Sequence, residues 1–415
     1  MLRPVNFRKL VTWVAVAGMF LGVAPSAVRA ETINPPLPDT PEETTPFKHA
    51  ISISQPTPVK LEVRRRIMAV AKSEGASAYP GRAVTLGLVR VSRGEKVVQR
   101  FPAGYRVPMS TTVQADEVVR NLMSQEAADV LVAGGIVMGK SSAQIRGARI
   151  GDVAYLLDID DGAHPFVIGS IVEDEVIGES DLLMSPTQAT EMGATMVTRY
   201  TIIGFTKTDK MVKALRVAGF TDGNTFRIRR TWDPQNPDAT RGLGATKKLV
   251  GEFAYKVSPS GKITVADSWI RANISPRTPF DGVGVKAACH RVVRVAIQGA
   301  LKEVEREGLA HLIDTDNTNA YGGCFYPRYN RLAGALGYLS RHSWGMAVDM
   351  NTTTNVQGGV PHMDCRIVRI FRKWGFAWGG NFTPSDGMHF EFVGERRDNF
   401  EFPSRYCPNI VKSDG

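Results

Sequence analysis

The sequence predicts an α+β protein in two parts: a small α/β region, then a second region that holds most of the chemistry-bearing residues. Three observations carry this. The chain has 415 residues, 43% hydrophobic and 22% charged, enough for two or more cores at roughly 100–200 residues per domain and too apolar for overall disorder. Between about residues 60 and 230, apolar runs of strand length alternate with stretches of helical spacing. Residues 231–247 (TWDPQNPDATRGLGATK), rich in Pro, Gly, Asn and Asp, then interrupt the pattern.

Residues 1–30 read as a signal peptide. Arg3, Arg8 and Lys9 form a basic start, 10–24 is uncharged and mainly apolar, and Val28-Arg29-Ala30 resembles a cleavage site. A spanning helix needs about 20 apolar residues, so cleavage is favoured over a membrane anchor at 10–24. Either outcome places the rest outside the cytoplasm, whether secreted, periplasmic or in the cell wall. Residues 31–58 carry seven prolines. Proline fixes φ and lacks a donor, so this segment is expected to be an extended, solvated linker.

The first region, 59–230, is read as a helix over 61–72 and strands over 83–91 and 97–101. A helix over 116–131, strands over 153–159 and 166–172, a helix over 209–218 and a strand starting at 226 follow. Residues 134–141 (GGIVMGKS) fit the phosphate-loop pattern, but the interior Ile-Val-Met suits packing better than wrapping phosphate, so no nucleotide is expected. Residues 145–157, 166–171 and 181–185 resemble the extracytoplasmic domain of FtsX/MacB-type permeases. That resemblance implies a small interaction module with a possible envelope partner.

After the 231–247 linker, 252–257 and 263–268 flank Ser258-Pro259-Ser260-Gly261 and read as a hairpin. A long amphipathic helix is expected over 285–307, with Val285, Ala288, Val292, Val295 and Val304 near one face, and a second helix over 365–374. Cys289, Cys324, Cys365 and Cys407 all fall in this region. An even count in an exported chain favours two disulfides. Three pairings are open; Cys289–Cys324 with Cys365–Cys407, which would tie the chain's end to a helix, is preferred.

The chemistry gathers in 340–351 (SRHSWGMAVDMN), 378–382 (WGGNF) and 386–391 (DGMHFE). Catalytic zinc takes three protein ligands and leaves one position open. His342, Asp349 and His389 supply nitrogen and hard oxygen of the right kinds. Alternation places Asp349 to one side of a strand, and His389 shares a strand face with Glu391. Pairing the two strands would bring the ligands together. Asp386, in a turn just ahead of His389, is the candidate proton acceptor; Glu391 is read as the partner of a ligating histidine. The remaining histidines, 49, 164, 290, 311 and 362, read as ordinary core or surface residues.

The pattern S-x-H-x-x-G-x-A-x-D, then W-G-G, then D-x-x-H-F-E resembles VanY-type D-Ala-D-Ala carboxypeptidases and their L-Ala–D-Glu endopeptidase relatives, over about residues 250–408. The resemblance implies a zinc peptidase domain over 248–408, hedgehog-like, with a small antiparallel sheet and flanking helices, and a tail at 409–415. By position it implies Zn2+ on His342, Asp349 and His389, with Asp386 as the catalytic acid/base. Arg328, in 324–330 (CFYPRYN), would orient substrate or stabilise the oxyanion, and Ser340, Trp344, Trp378 and Glu391 would support or position these groups. Carboxypeptidases of the family commonly carry Glu where this chain has Asp386, which fits the endopeptidase branch better and leaves the scissile bond open. The implied substrates are peptidoglycan stem peptides. The rival reading is a non-catalytic, zinc-binding envelope protein acting with a permease or divisome partner. The formal charge of +10 falls to +6 without the first thirty residues; that suits an anionic wall, and no nucleic-acid motif is present.

Overall fold

The computed structural model describes residues 49–317 and 319–409. The expected signal peptide, residues 31–48 of the Pro-rich stretch and the tail beyond Asn409 lie outside the described residues. In chain order the first part runs β1 (Ile51–Ser54), α1 (Leu61–Ser73), β2 (Ser77–Arg93), β3 (Lys96–Arg100), β4 (Val107–Val113), α2 (Asp116–Leu122), α3 (Gln125–Val132) and β5 (Ile136–Gly139). It continues with α4 (Lys140–Arg146), β6 (Val153–Leu157), β7 (Ala163–Val172), β8 (Leu182–Met184), α5 (Pro186–Glu191), β9 (Arg199–Ile203), α6 (Thr208–Val217) and β10 (Arg227–Arg230).

All ten strands join one mixed sheet. The long β2 pairs with β9 through its first residues and with β4 and β6 further on, so β2, β4, β8, β5, β7 and β6 close into a ring. Leu86, Leu88, Met109, Ile136, Met138, Leu156 and Ile168 pack together as its core. Beyond β2, the sheet extends through β9, β1 and β10. Ile51, Ile53, Tyr200 and Ile202 alternate onto one face and pack against Val63 and Ile67 of α1 and Met211 and Leu215 of α6.

Several expectations need correction. Residues 51–54, assigned to the solvated linker, are a buried strand between β9 and β10: two prolines on either side of Ile-Ser-Ile-Ser hid its alternation. The helix expected over 116–131 breaks at Met123, because the Ser124 side chain accepts from Ala127 N and caps a new helix. The phosphate-loop-like residues 136–139 are β5, bonded to β7 and β8, so the loop that pattern requires does not exist. Lys140 instead pairs with Glu173, and Ser141 with Asp174.

The second part runs α7 (Leu243–Val250), β11 (Tyr255–Val257), β12 (Ile263–Val265), α8 (Asp267–Asn273), β13 (Thr278–Pro279), β14 (Lys286–Ala287) and α9 (Arg291–Arg306). It ends with β15 (Tyr321–Gly322), β16 (Ala347–Met350), α10 (Cys365–Lys373), β17 (Phe376–Trp378) and β18 (His389–Phe392). The hairpin of β11 and β12 forms as expected. The long helix starts at Arg291, not 285, where the His290 side chain accepts from Val292 N. This turns the buried face to Val293, Ile297, Ala300, Leu301 and Val304, leaving Val292 and Val295 exposed. A four-stranded antiparallel sheet, β15-β16-β18-β17, packs on α10, which packs on α9. The disulfides are Cys289–Cys324 and Cys365–Cys407, the preferred pairing.

Residues 231–247 are not a free linker. Asp238 is buried and accepts from Arg372 Nε (2.9 Å), Asn381 Nδ2 (2.7 Å) and Trp378 N (3.1 Å). In α7, Lys247 is fully buried, with Nζ 2.9 Å from Asp181 and 2.8 Å from Glu252, and Arg146 also pairs with Glu252. Charge in this segment satisfies buried partners on both sides, whereas a sequence reading assigns charge to solvent. The chain's end is also drawn in: Asn409, assigned to the tail, accepts from Arg372 Nη1 at 2.8 Å.

Candidate metal centre

The site is built on the register of two short strands. In β16, Ala347 and Asp349 point to one face; in β18, His389 and Glu391 do the same. Antiparallel pairing sets Asp349 directly opposite His389 and Ala347 opposite Glu391. His342 arrives from a helical turn, residues Arg341–Trp344, where Ser340 Oγ accepts from His342 N. Gly345 closes that turn at φ 65°, and a Cβ there would lie 2.8 Å from His290 N. Glycine is required on both counts. Gly322, paired with Asp349 from β15, clears the other side: a Cβ there would lie 3.2 Å from the Asp349 carboxylate.

One ligand atom from each of His342, Asp349 and His389 falls within 4.8 Å of the others. His342 Nε2 lies 3.3 Å from Asp349 Oδ2, and His389 Nδ1 lies 3.1 Å from Asp349 Oδ1. Two ligands at about 2.0–2.1 Å from a tetrahedral ion sit about 3.3 Å apart. The tautomers fit as well. His342 Nδ1–H donates to the carbonyls of Gly323 and Cys324, both at 3.2 Å, leaving Nε2 buried with no hydrogen-bond partner. His389 Nε2 faces Glu391 at 3.5 Å, leaving Nδ1 toward Asp349. Arg341 Nε, 3.1 Å from Glu391, anchors that carboxylate. An orphaned buried nitrogen with a carboxylate and a second imidazole around one point is a donor set for a divalent ion such as zinc.

The electrostatics agree. Burial alone would raise the Asp349 carboxyl, but His342 and His389 outweigh it and hold it far below the usual carboxylate range. Burial opposes charge on His389, yet Asp349 and Glu391 push it up to about 10. The cluster therefore favours a bound cation, whether proton or metal.

Asp386 sits in the loop between β17 and β18. Its Oδ2 accepts from Gln357 Nε2 at 3.0 Å, while Oδ1 is buried without a partner. Burial first, with Asp349 adding to it against the histidines, holds its carboxyl above the ordinary value. The loop is fixed by Trp378, whose indole N–H donates to Gly387 O at 2.8 Å, and by Gly379, where a Cβ would lie 2.4 Å from Asp386 O. An open cleft of about 300 Å³ exposes His342 and Asp349 beside Tyr326, Arg328, Arg331 and Arg277. Arg328 is half-buried there; burial, then Arg331, weakens its hold on the proton, while Asp349 and Asp386 act in the opposite sense.

Trp344 and Trp378 support the candidate site from behind. Trp344 does not line the cleft; it is buried against Phe253, ring centroids 4.6 Å apart, and pins the turn that carries His342. Trp378 is likewise fully buried. Conversely, sequence reasoning missed Gln357, Arg341, Arg277 and Arg331. Arg341 adjoins His342 and could have been found there; Gln357 lies in a loop with no local signal.

A family profile described as D-alanyl-D-alanine carboxypeptidase matches residues 333–392, which contain His342, Asp349, Asp386 and His389. Among solved structures, the extracellular domain of the noncanonical ABC-type transporter YknZ from Gram-positive bacteria is similar. It shares 10% identity at a TM-score of 0.28, covering 43% of this chain and 99% of that one. No characterised protein sequence matches the chain. Among the described residues, no helix is long and apolar enough to cross a membrane.

Proposed function

We propose that the protein is an exported zinc peptidase that hydrolyses peptide bonds in peptidoglycan stem peptides, as a D-Ala-D-Ala carboxypeptidase or an L-Ala–D-Glu endopeptidase. The observation that carries this is the convergence of His342 Nε2, Asp349 and His389 Nδ1 beside the unpartnered Oδ1 of Asp386. His342, Asp349 and His389 would hold the ion, whose Lewis acidity would act on the scissile carbonyl and the attacking water. Asp386 takes a proton from that water and returns it to the departing amine, so the peptide and one water yield a carboxylate and an amine. Its raised affinity for a proton suits both halves of that task. Gln357 holds one carboxylate oxygen and leaves the other for the water. Arg328 would neutralise the developing oxyanion or grip a substrate carboxylate.

Three arginines around one cleft favour a substrate with free carboxylates beside the scissile bond, as stem peptides have. The two disulfides suit an oxidising compartment, in keeping with the signal-like residues 1–30. The test is digestion of muropeptides by the purified protein and by Asp386→Ala, with metal content measured on both. The reading expects one bound zinc in each and hydrolysis only in the first. Loss of a terminal D-Ala identifies the carboxypeptidase, and cleavage after L-Ala the endopeptidase. Intact muropeptides with the zinc-loaded protein would overturn the reading.

A further inference from the structure

The first sheet carries a second polar pocket, which the peptidase chemistry leaves unused. It is an open space of about 240 Å³ on the face of β9, β1 and β10 opposite α1 and α6. Ser52 pairs with Thr201 on one side and Arg229 on the other, so all three point to this face; Arg199 joins them two residues before Thr201. Arg230, opposite Ile51, borders the pocket at the strand end but turns its side chain to the other face, and Val118, Leu122 and Met123 supply an apolar wall.

Two features mark the pocket as built to receive something. The first is Gln114, just past β4, which is 2% exposed and has no hydrogen-bond partner on either its amide oxygen or its amide nitrogen. Buried amides are normally satisfied, and an orphaned one asks for an explanation. Gly81 makes room for it: a Cβ there would lie 2.4 Å from Gln114 Oε1 and 2.7 Å from Arg199 Cγ. The second is the charge balance. Arg199 and Arg229 make no ion pair or side-chain hydrogen bond among the described residues. Asp233, 3.2 Å from Arg230 on the other face, also acts on Arg229. Asp222 lies near Arg229, with its carboxylate accepting from Ile228 N. Guanidinium groups collected around an unsatisfied amide repel one another unless an anion sits between them.

We propose that Arg199, Arg229 and Gln114 form a binding site for a small oxyanion, carboxylate or phosphoryl, that also carries a hydrogen-bond donor. The guanidinium forks match carboxylate and phosphoryl oxygens. The Gln114 NH2 adds a donor, and its Oε1 accepts from a hydroxyl or amine on the same ligand. The volume lies below the roughly 300–1,000 Å³ of drug-sized pockets, so the occupant is small. The site is independent of the metal centre and does not rest on the peptidase reading.

The test is calorimetry and thermal unfolding of the full chain with inorganic phosphate, with L-malate, and with neutral malamide as control, all at one ionic strength. One or both oxyanions should saturate a single site and raise the unfolding midpoint with the logarithm of concentration, while malamide does neither. Binding by phosphate alone marks a phosphoryl site, and by malate alone a carboxylate site. Gln114→Leu and Arg199→Met should each weaken binding at least tenfold. Arg229→Gln, at an exposed strand position, should do so with the native circular dichroism spectrum intact. No saturation by either oxyanion up to about 10 mM, equal binding of malamide, or unchanged binding by folded Arg229→Gln would overturn the proposal.

Discussion

Replacing Lys247 with methionine keeps the unbranched stem of the side chain and removes its charged end. In the native protein Lys247, Arg146, Asp181 and Glu252 form a buried group with two charges of each sign. The substitution leaves Arg146 to neutralise two buried carboxylates, and breaking a buried pair from one side costs about 3–5 kcal/mol. The pH dependence gives the cause away. In the native protein, burial would raise the Asp181 carboxyl, but Lys247 and then Arg146 hold it below its ordinary value. A depressed carboxyl contributes stability that is present above its unfolded pKa, near 3.9, and lost as pH falls through the folded value. Without Lys247 burial prevails, Asp181 binds a proton more readily, and the penalty shrinks as pH falls from 8 toward 4 (about the carboxylate range). Urea unfolding followed by tryptophan fluorescence measures this directly. A loss below about 1 kcal/mol, or one that does not vary with pH, would refute the claim that these charges are mutually satisfied.

Four further outcomes follow from the same structure. Glu391→Gln should lower metal affinity about 10–100-fold, since Glu391 fixes the tautomer of His389; a metal-competition titration reads this, and unchanged affinity would contradict the assignment. Cys365→Ser with Cys407→Ser opens a bridge spanning 42 residues, worth about 4 kcal/mol by loop closure, measured as a lower urea midpoint under oxidising conditions only. For the reaction, Asp386 must begin unprotonated, and its carboxyl is held above its ordinary value; activity should therefore fall on the acid side at a pH above the usual aspartate range. Gln357→Leu removes a hydrogen bond that favours the charged form, so the acid limb of kcat/KM should move further up in pH.

The candidate metal centre was legible because its proposed ligands sit on elements whose local rules are strict. Alternation along 347–350 and 389–392 decides which side chains share a face, and one strand pairing then sets Asp349 opposite His389. The supporting contacts were not legible, because they come from other parts of the chain: Gln357 reaches Asp386 from a loop 29 residues away, and the Gly323 and Cys324 carbonyls orient His342. In the first part, the ends of β6 and β7 follow the apolar runs closely. β4 (VPMSTTV) was missed because Pro108 and three hydroxyl residues mask a strand buried along almost its whole length. Lys247, Arg146 and Arg372 show the general reason for misreading 231–247. A charged side chain with a buried counter-charge is indistinguishable in sequence from one in solvent, and only tertiary structure pairs them.

The central claim is that His342, Asp349 and His389 hold an ion that works with Asp386. Metal analysis of the purified protein, paired with mass spectrometry of muropeptides before and after digestion, tests it most directly. The account predicts one zinc per chain, lost in His342→Ala, and a single cleaved stem-peptide bond that Asp386→Ala abolishes while keeping the metal. A zinc-loaded wild type that leaves every muropeptide intact, or an Asp386→Ala variant that still cleaves at the native rate, would contradict it.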